Sequence, residues 1–369
     1  MVARPPERIL EQVAKKQGKG AETRRKLAVN KENNWLLAIT LNSFSKFAEN
    51  QKLSDLETVV VQAFQRNGFS DEEIKKHGEL GEQIPQDMRN AIFPEKFARL
   101  DVKSSYSMND MRRDAEGIVR TFRARPNVTN VDVSAIHAKR ATLRDFPRIK
   151  NSVLREHASE ALVVVEPDAA PAPRAAAAGQ YTIKATRFKC IERAGDSIFN
   201  RSNEAYWIFG SLGGGTPVTT RSPIFEGVDS GESRTFSATA GCIWGQNCVA
   251  QALPEGEVAS LVQLWEHDEG KPDQIKAGVA AAFAAAAGIL AATGVAAWVG
   301  AVVVGVGAVV QWLLGFLDDD HIADQTFVFS SAVLQKQIPN AGQALPPVVR
   351  KFTDGDADYD LTIQVTHVS

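Results

Sequence analysis

The sequence predicts an α+β protein: a mostly helical N-terminal domain, then an antiparallel β-sandwich that carries an inserted apolar helical hairpin. Three observations lead there. Up to about residue 166, apolar residues recur at helical spacing behind capping boxes. After residue 180 they alternate with period two between Gly and Pro turns. Between Lys276 and Asp318, the 41 residues Ala277 to Leu317 include no ionisable side chain.

Residues 1–30 form a basic, polar segment, and the helical domain is expected over 31–166. Trp35, Leu36, Ile39, Phe44 and Phe47 give 34–50 a helical pattern. Ser54 with Glu57 and Ser70 with Glu73 are capping boxes, the first opening a helix that Gly68 ends and the second a short helix to about Glu79. Ser107 opens a third helix whose apolar face is Met111, Ala115, Ile118, Val119 and Phe122, and Pro126 stops it. A short strand is expected at 161–166. The Pro/Ala stretch 167–180 reads as a linker with nothing to bury. The sandwich, 181–369, shows alternation in 181–191, 259–265, 326–333 and 359–368.

The net charge of −2 gives the whole molecule no preference for a polyanion. Its halves differ: residues 1–157 hold 29 Lys+Arg against 21 Asp+Glu, and the remainder 13 against 23, as expected of domains with different partners or of domains that attract each other. The N-terminus lacks the apolar core of a secretory signal, so synthesis in the cytoplasm is expected. Three cysteines make no disulfide framework. Cys242 and Cys248 are close enough to close a small loop, but free thiols are the expectation in a cytoplasmic chain.

The uncharged run is about twice the length of one membrane span and has Thr293-Gly294 near its middle, so it reads as a hairpin of two helices over 277–317. Its first half is mostly Ala and Gly. Its second half is richer in Val and carries Trp298 and Trp312 near its ends, as interfacial belts do. The side chains expected to meet lipid are Trp298, Val303, Trp312, Leu313, Leu314 and Phe316. Seven glycines favour close helix–helix contact, so insertion and permanent burial inside the protein both remain open.

On either side of this run, Leu264-Trp265-Glu266-His267-Asp268 ends a strand and Asp318-Asp319-Asp320-His321-Ile322-Ala323-Asp324 leads into the next. With Gly195-Asp196 and Ser202-Asn203-Glu204-Ala205-Tyr206, these segments resemble the third and first loops of C2 domains, over roughly 150 residues. The resemblance implies calcium held against anionic lipid by carboxylates from two loops, and calcium takes six to eight oxygen ligands. It nominates Asp196, Asn203, Glu266, Asp268 and Asp320, with Asp319 and Asp324 as additional candidates. Asn203 and Glu266 stand where Asp is usual, and the insertion splits the third loop.

Other motifs point elsewhere only weakly. His267 and His321 could join Asp268 and Asp320 around a transition metal, but helix caps and solvated loop ends explain such acids better. Glycines 210–215 precede no Gly-Lys-Ser/Thr element and suit a turn. The helix–Gly68–helix segment superficially suggests a DNA-reading motif, and an ordinary helical core explains it better. No catalytic constellation is visible. The expectation is therefore a non-enzymatic, membrane-associating protein, pore-forming or permeabilising, partnered by an anionic membrane and compatible with homo-oligomer formation. The alternative is a soluble interaction or assembly protein with the hairpin permanently buried; nucleic-acid binding through the basic half ranks third.

Overall fold

The computed structural model describes residues 19–132, 149–165, 179–193, 204–213, 217–267, 272–293, 299–314 and 320–369. The protein is α+β, and its contacts divide it into two units. One comprises 1–122 and 269–320, and the other 123–268 and 321–369.

The first unit is helical: α1 (Lys19–Val29), α2 (Trp35–Ala48), α3 (Asp55–Arg66), α4 (Asp71–Gln83), α5 (Gln86–Ile92), α6 (Glu95–Ala98), α7 (Met108–Arg123), and the hairpin helices α9 (Pro272–Thr293) and α10 (Val299–Leu314). Both predicted capping boxes form, with Ser54 and Ser70 each accepting from the backbone N–H of the Glu three residues on. Helix α4 runs to Gln83, beyond the expected end at Glu79. Helix α2 is buried on nearly every face. Its Thr40 and Ser43 hydroxyls return hydrogen bonds to the Leu36 and Ile39 carbonyls, which removes the cost of burying them. A buried ion pair, Lys46 Nζ to Glu57 Oε2 at 2.8 Å, ties α2 to α3. The Glu57 carboxylate also accepts from the Ser54 and Tyr106 backbone N–H groups, so its lone pairs are well used. Where α4 crosses α2, a Cβ on Gly78 would lie 2.3 Å from the Phe44 carbonyl oxygen, so only glycine permits the approach.

The second unit is a sandwich of two sheets. One has the order β1 (Val128–Asp132), β2 (Ser159–Val165), β10 (Asp320–Ser330), β9 (Glu257–Glu266), β4 (Ala205–Leu212), β5 (Val218–Arg221). The other has the order β11 (Val348–Thr353), β12 (Asp358–His367), β3 (Gln180–Glu192), β6 (Ser233–Thr235), with β7 (Cys242–Trp244) and β8 (Gln251–Ala252) also on β3. Two short helices, α8 (Asn151–His157) and α11 (Ser331–Gln337), complete it. Phe188, Trp207, Phe209, Phe236, Phe352 and Tyr359 fill the core between the sheets.

Four expectations need correction. The sandwich is not purely antiparallel, because β1–β2 and β2–β10 pair in parallel. The strand expected at 161–166 is therefore part of the sandwich, and the units divide at 122/123 rather than at the 167–180 segment. The reason is the composition of β2. Its Ala161 to Val164 are buried on both faces, so the strand needs a sheet beside it. Of the expected linker, only Gly179 and Gln180 fall within the described residues, and Gln180 opens β3. The hairpin, expected as an appendage of the sandwich, belongs to the helical unit. Finally, Cys242 and Cys248 are disulfide-bonded rather than free, their Cα atoms 5.0 Å apart. Left-handed backbone at Gly245, Asn247 and Cys248 turns the chain back sharply enough to bring them together. Cys190 is a buried free thiol.

Candidate functional site

The hairpin is built from residues that ask nothing of water. Helix α9 spans 22 residues, is long and apolar enough to cross a membrane, and is about 33 Å long at the usual rise per residue. Helix α10 has 16 residues. Apart from Gln311 it is wholly apolar, as suits a helix buried on most of its surface. Val302, Val303, Val306, Val310 and Trp312 are accordingly at zero exposure.

Glycine notches seat the hairpin. Helix α9 packs on α3 and on α10, and α10 packs on α2. A Cβ on Gly288 would lie 2.4 Å from Val59 Cγ1 of α3, so the valine methyl occupies the space that any side chain would need. At Gly305 of α10 the fit is close but less tight, with a Cβ lying 3.0 Å from Leu36 Cβ and 3.4 Å from the Trp35 ring of α2. The C-terminal end of α9 is covered by Arg112 of α7, whose guanidinium donates to the Ala292 and Thr293 carbonyls. A cation there satisfies otherwise unpaired acceptors and opposes the negative end of the helix dipole. Thr293 bonds back to the Ile289 carbonyl at 2.8 Å, which hides the first half's only polar side chain.

Of the residues expected to meet lipid, Val303, Trp312 and Leu313 are buried in this unit. Trp312 was expected near an interfacial belt, but the fold places it in the interior because α10 is surrounded by protein. Leu314 closes α10. Trp298 and Phe316 lie outside the described residues. Val59 and Leu36 were expected as apolar positions of their own helices, not as partners of the hairpin.

In the sandwich, Ala205 pairs with Glu266 across β4 and β9, and His267 N–H donates to the Glu204 carbonyl at 2.7 Å. The chain entering β4 and the chain leaving β9 therefore meet at one end of the sheet. Buried rings continue inward: Tyr206 stacks on Trp265, and Trp265 meets His321 edge-on at 4.9 Å.

Three of the seven nominated metal ligands, Glu266, Asp320 and Asp324, fall within the described residues. Asp196, Asn203, Asp268 and Asp319 lie outside the described residues. Glu266 is the last residue of β9 and Asp320 the first of β10. Asp324 was placed in a loop, but β10 begins earlier than expected and buries it within the strand. There its Oδ1 accepts from Gln263 Nε2 at 2.8 Å and pairs with His321 Nε2 at 2.8 Å. His321 Nε2 is thus engaged with the Asp324 carboxylate. Among the described residues, no group of three or more His, Cys, Asp or Glu is arranged to hold a metal.

No family model matches the chain, and no curated protein matches it. Part of it is similar to human GIVD cytosolic phospholipase A2 in complex with methyl gamma-linolenyl fluorophosphonate and terbium chloride, at 6% identity and a TM-score of 0.25, covering 52% of this chain and 17% of that one. The same enzyme in complex with the fluorophosphonate gives 8% identity and a TM-score of 0.23, with the same coverage. The chain matches less than a fifth of that protein's length, and likeness at this level carries no argument about fold or activity.

Proposed function

We propose that this protein is a non-enzymatic, membrane-associating module that stores an apolar hairpin in its helical unit and delivers it to an anionic bilayer, permeabilising it. The observation that carries this is the storage itself. Two helices, uncharged from Ala277 onward, sit in glycine-notched seats on α2 and α3, and they lie in sequence between strands β9 and β10. Their departure would break no strand pairing within the sandwich.

Energetics set the condition for release. Burial of seven α10 side chains (Val302, Val303, Val306, Val309, Val310, Trp312 and Leu313) stabilises the stored state by on the order of 10–20 kcal/mol. Exposure of that surface to water is prohibitive, whereas transfer into hydrocarbon restores an apolar environment. The hairpin therefore leaves only for lipid.

The C2-like reading of the sandwich belongs to the same proposal. Its support is strand order: the first strand, β3, pairs with the closing strand, β12, and β4, which follows the first loop, pairs with β9, which precedes the insertion. Calcium held by acids of the two loops is the finer form of this proposal. Asp324 contributes least to it, because His321 and Gln263 already occupy Oδ1.

Burial of most of α10 favours a second reading, a soluble interaction or assembly protein whose hairpin never leaves. Flotation with anionic vesicles separates the two, with calcium in one arm and chelator in the other and dye leakage read in parallel. The membrane reading expects co-flotation and leakage, enhanced by calcium if the loops bind it. A wild-type protein that stays in the dense fractions and releases no dye in either arm overturns it.

A further inference from the structure

The sandwich unit contains a cleft of about 490 Å³ beside β5, lined among others by Pro217, Thr219, Trp244, Asn247, Gln251 and Pro254. That volume falls in the range of roughly 300–1,000 Å³ usual for small-molecule sites. None of the described lining residues is charged. A charged ligand would give up hydration there without gaining a counter-charge. A wholly apolar ligand would cover the Asn247 and Gln251 amides and the Thr219 hydroxyl and leave them unpaired. The wall suits a neutral molecule that has apolar faces and many hydroxyls.

The rim is also held in place. Thr220 Oγ1 donates to the Cys242 carbonyl at 2.6 Å, which fastens β5 to β7. The Cys242–Cys248 disulfide closes the turn that presents Asn247. Asn247 and Cys248 both keep left-handed backbone, a conformation that costs non-glycine residues energy and gathers at ligand-binding positions. A rim fixed in this way loses little entropy when a ligand binds. The disulfide also suits oxidising surroundings, outside the cytoplasm.

We propose that this cleft is a binding site for a neutral saccharide. The sugar's C–H face packs on Trp244 and the two prolines, and its hydroxyls exchange hydrogen bonds with Asn247, Gln251 and Thr219. Amide groups suit that role because each both donates and accepts, as a sugar hydroxyl does. The site is separate from the hairpin, and its occupancy does not depend on membrane insertion.

The test is calorimetry on the intact chain with glucose, galactose, N-acetylglucosamine and lactose, alongside glucose 6-phosphate. Lactose in solution and phosphatidylcholine vesicles bearing lactosylceramide distinguish a free sugar from a lipid headgroup. Saturable binding of at least one neutral sugar in either arm is expected, with the phosphorylated sugar binding more weakly than glucose. Gln251→Ala should weaken binding about tenfold, the equivalent of one hydrogen bond. Asn247→Gly should act similarly while tolerating the left-handed backbone, so lost binding in a folded variant is readable. The proposal is overturned if no sugar binds in either arm, if the phosphorylated sugar binds better than glucose, or if both folded variants bind as the wild type does.

Discussion

Val59 and Gly288 provide a direct lock on the stored hairpin. The Cβ built at Gly288 lies 3.9 Å from the Cβ of Val59, inside the window of about 3.5–4.5 Å that disulfides span. Replacing valine by cysteine removes the methyl that fills the notch, so Val59→Cys with Gly288→Cys should oxidise without moving either helix. The bond would close a loop of about 230 residues, and chain entropy alone would then stabilise the fold by about 5 kcal/mol. In the oxidised protein α9 cannot leave α3. Leakage of anionic vesicles should fall to background and return on adding dithiothreitol, while the melting temperature of the oxidised form rises above wild type. Wild type under the same reductant controls for the Cys242–Cys248 bond. Undiminished leakage from the oxidised variant would refute the claim that release of the hairpin from α3 is required. Absence of leakage from both wild type and reduced variant would instead favour permanent burial.

Val303→Asp should unfold the soluble protein, because Val303 is fully buried and an unpaired carboxylate there costs more than about 4 kcal/mol; circular dichroism that retains a cooperative melt near wild type would contradict the placement of α10. Gly78→Ala should lower stability by about 3 kcal/mol or more in urea denaturation, since the new methyl meets the rigid Phe44 backbone rather than a movable side chain. An unchanged midpoint would mean that the α2–α4 crossing is looser than described. His77 on α4 adds a pH dependence. Burial lowers its pKa to about 4 against the opposing pull of Glu73, and its Nδ1 is buried without a hydrogen-bond partner. The folded protein thus prefers the neutral ring. This contribution is fully present above pH 6.5 and is lost as pH falls from 6.5 towards 4, to at most about 3 kcal/mol. His77→Gln should flatten the stability profile across that interval, and an unaltered slope would exclude the ring as its source.

The local elements were legible in the sequence because they depend on neighbours. A capping box needs only Ser54 and Glu57, or Ser70 and Glu73, and the structure makes the corresponding hydrogen bonds. Period-two alternation likewise marked the strand that became β3, and an uncharged run that long had to avoid water whatever surrounded it. Partners at long range were not legible. Whether Ala277–Leu317 meets lipid or protein depends on Val59 and Leu36, more than two hundred residues earlier, fitting Gly288 and Gly305. Nothing in the composition of the hairpin encodes that complementarity. The same holds for β2, whose apolar run announced a strand while its parallel neighbour, β10, lies on the far side of the insertion. For Asp324, sequence gave an acid near a strand end, and only the fold turned it into a buried acceptor for Gln263 and His321. Periodicity and capping are short-range properties of one segment, so sequence alone determined which segments must be buried. Which surfaces bury them is a matter of shape shared between distant segments, and only the tertiary structure decided it.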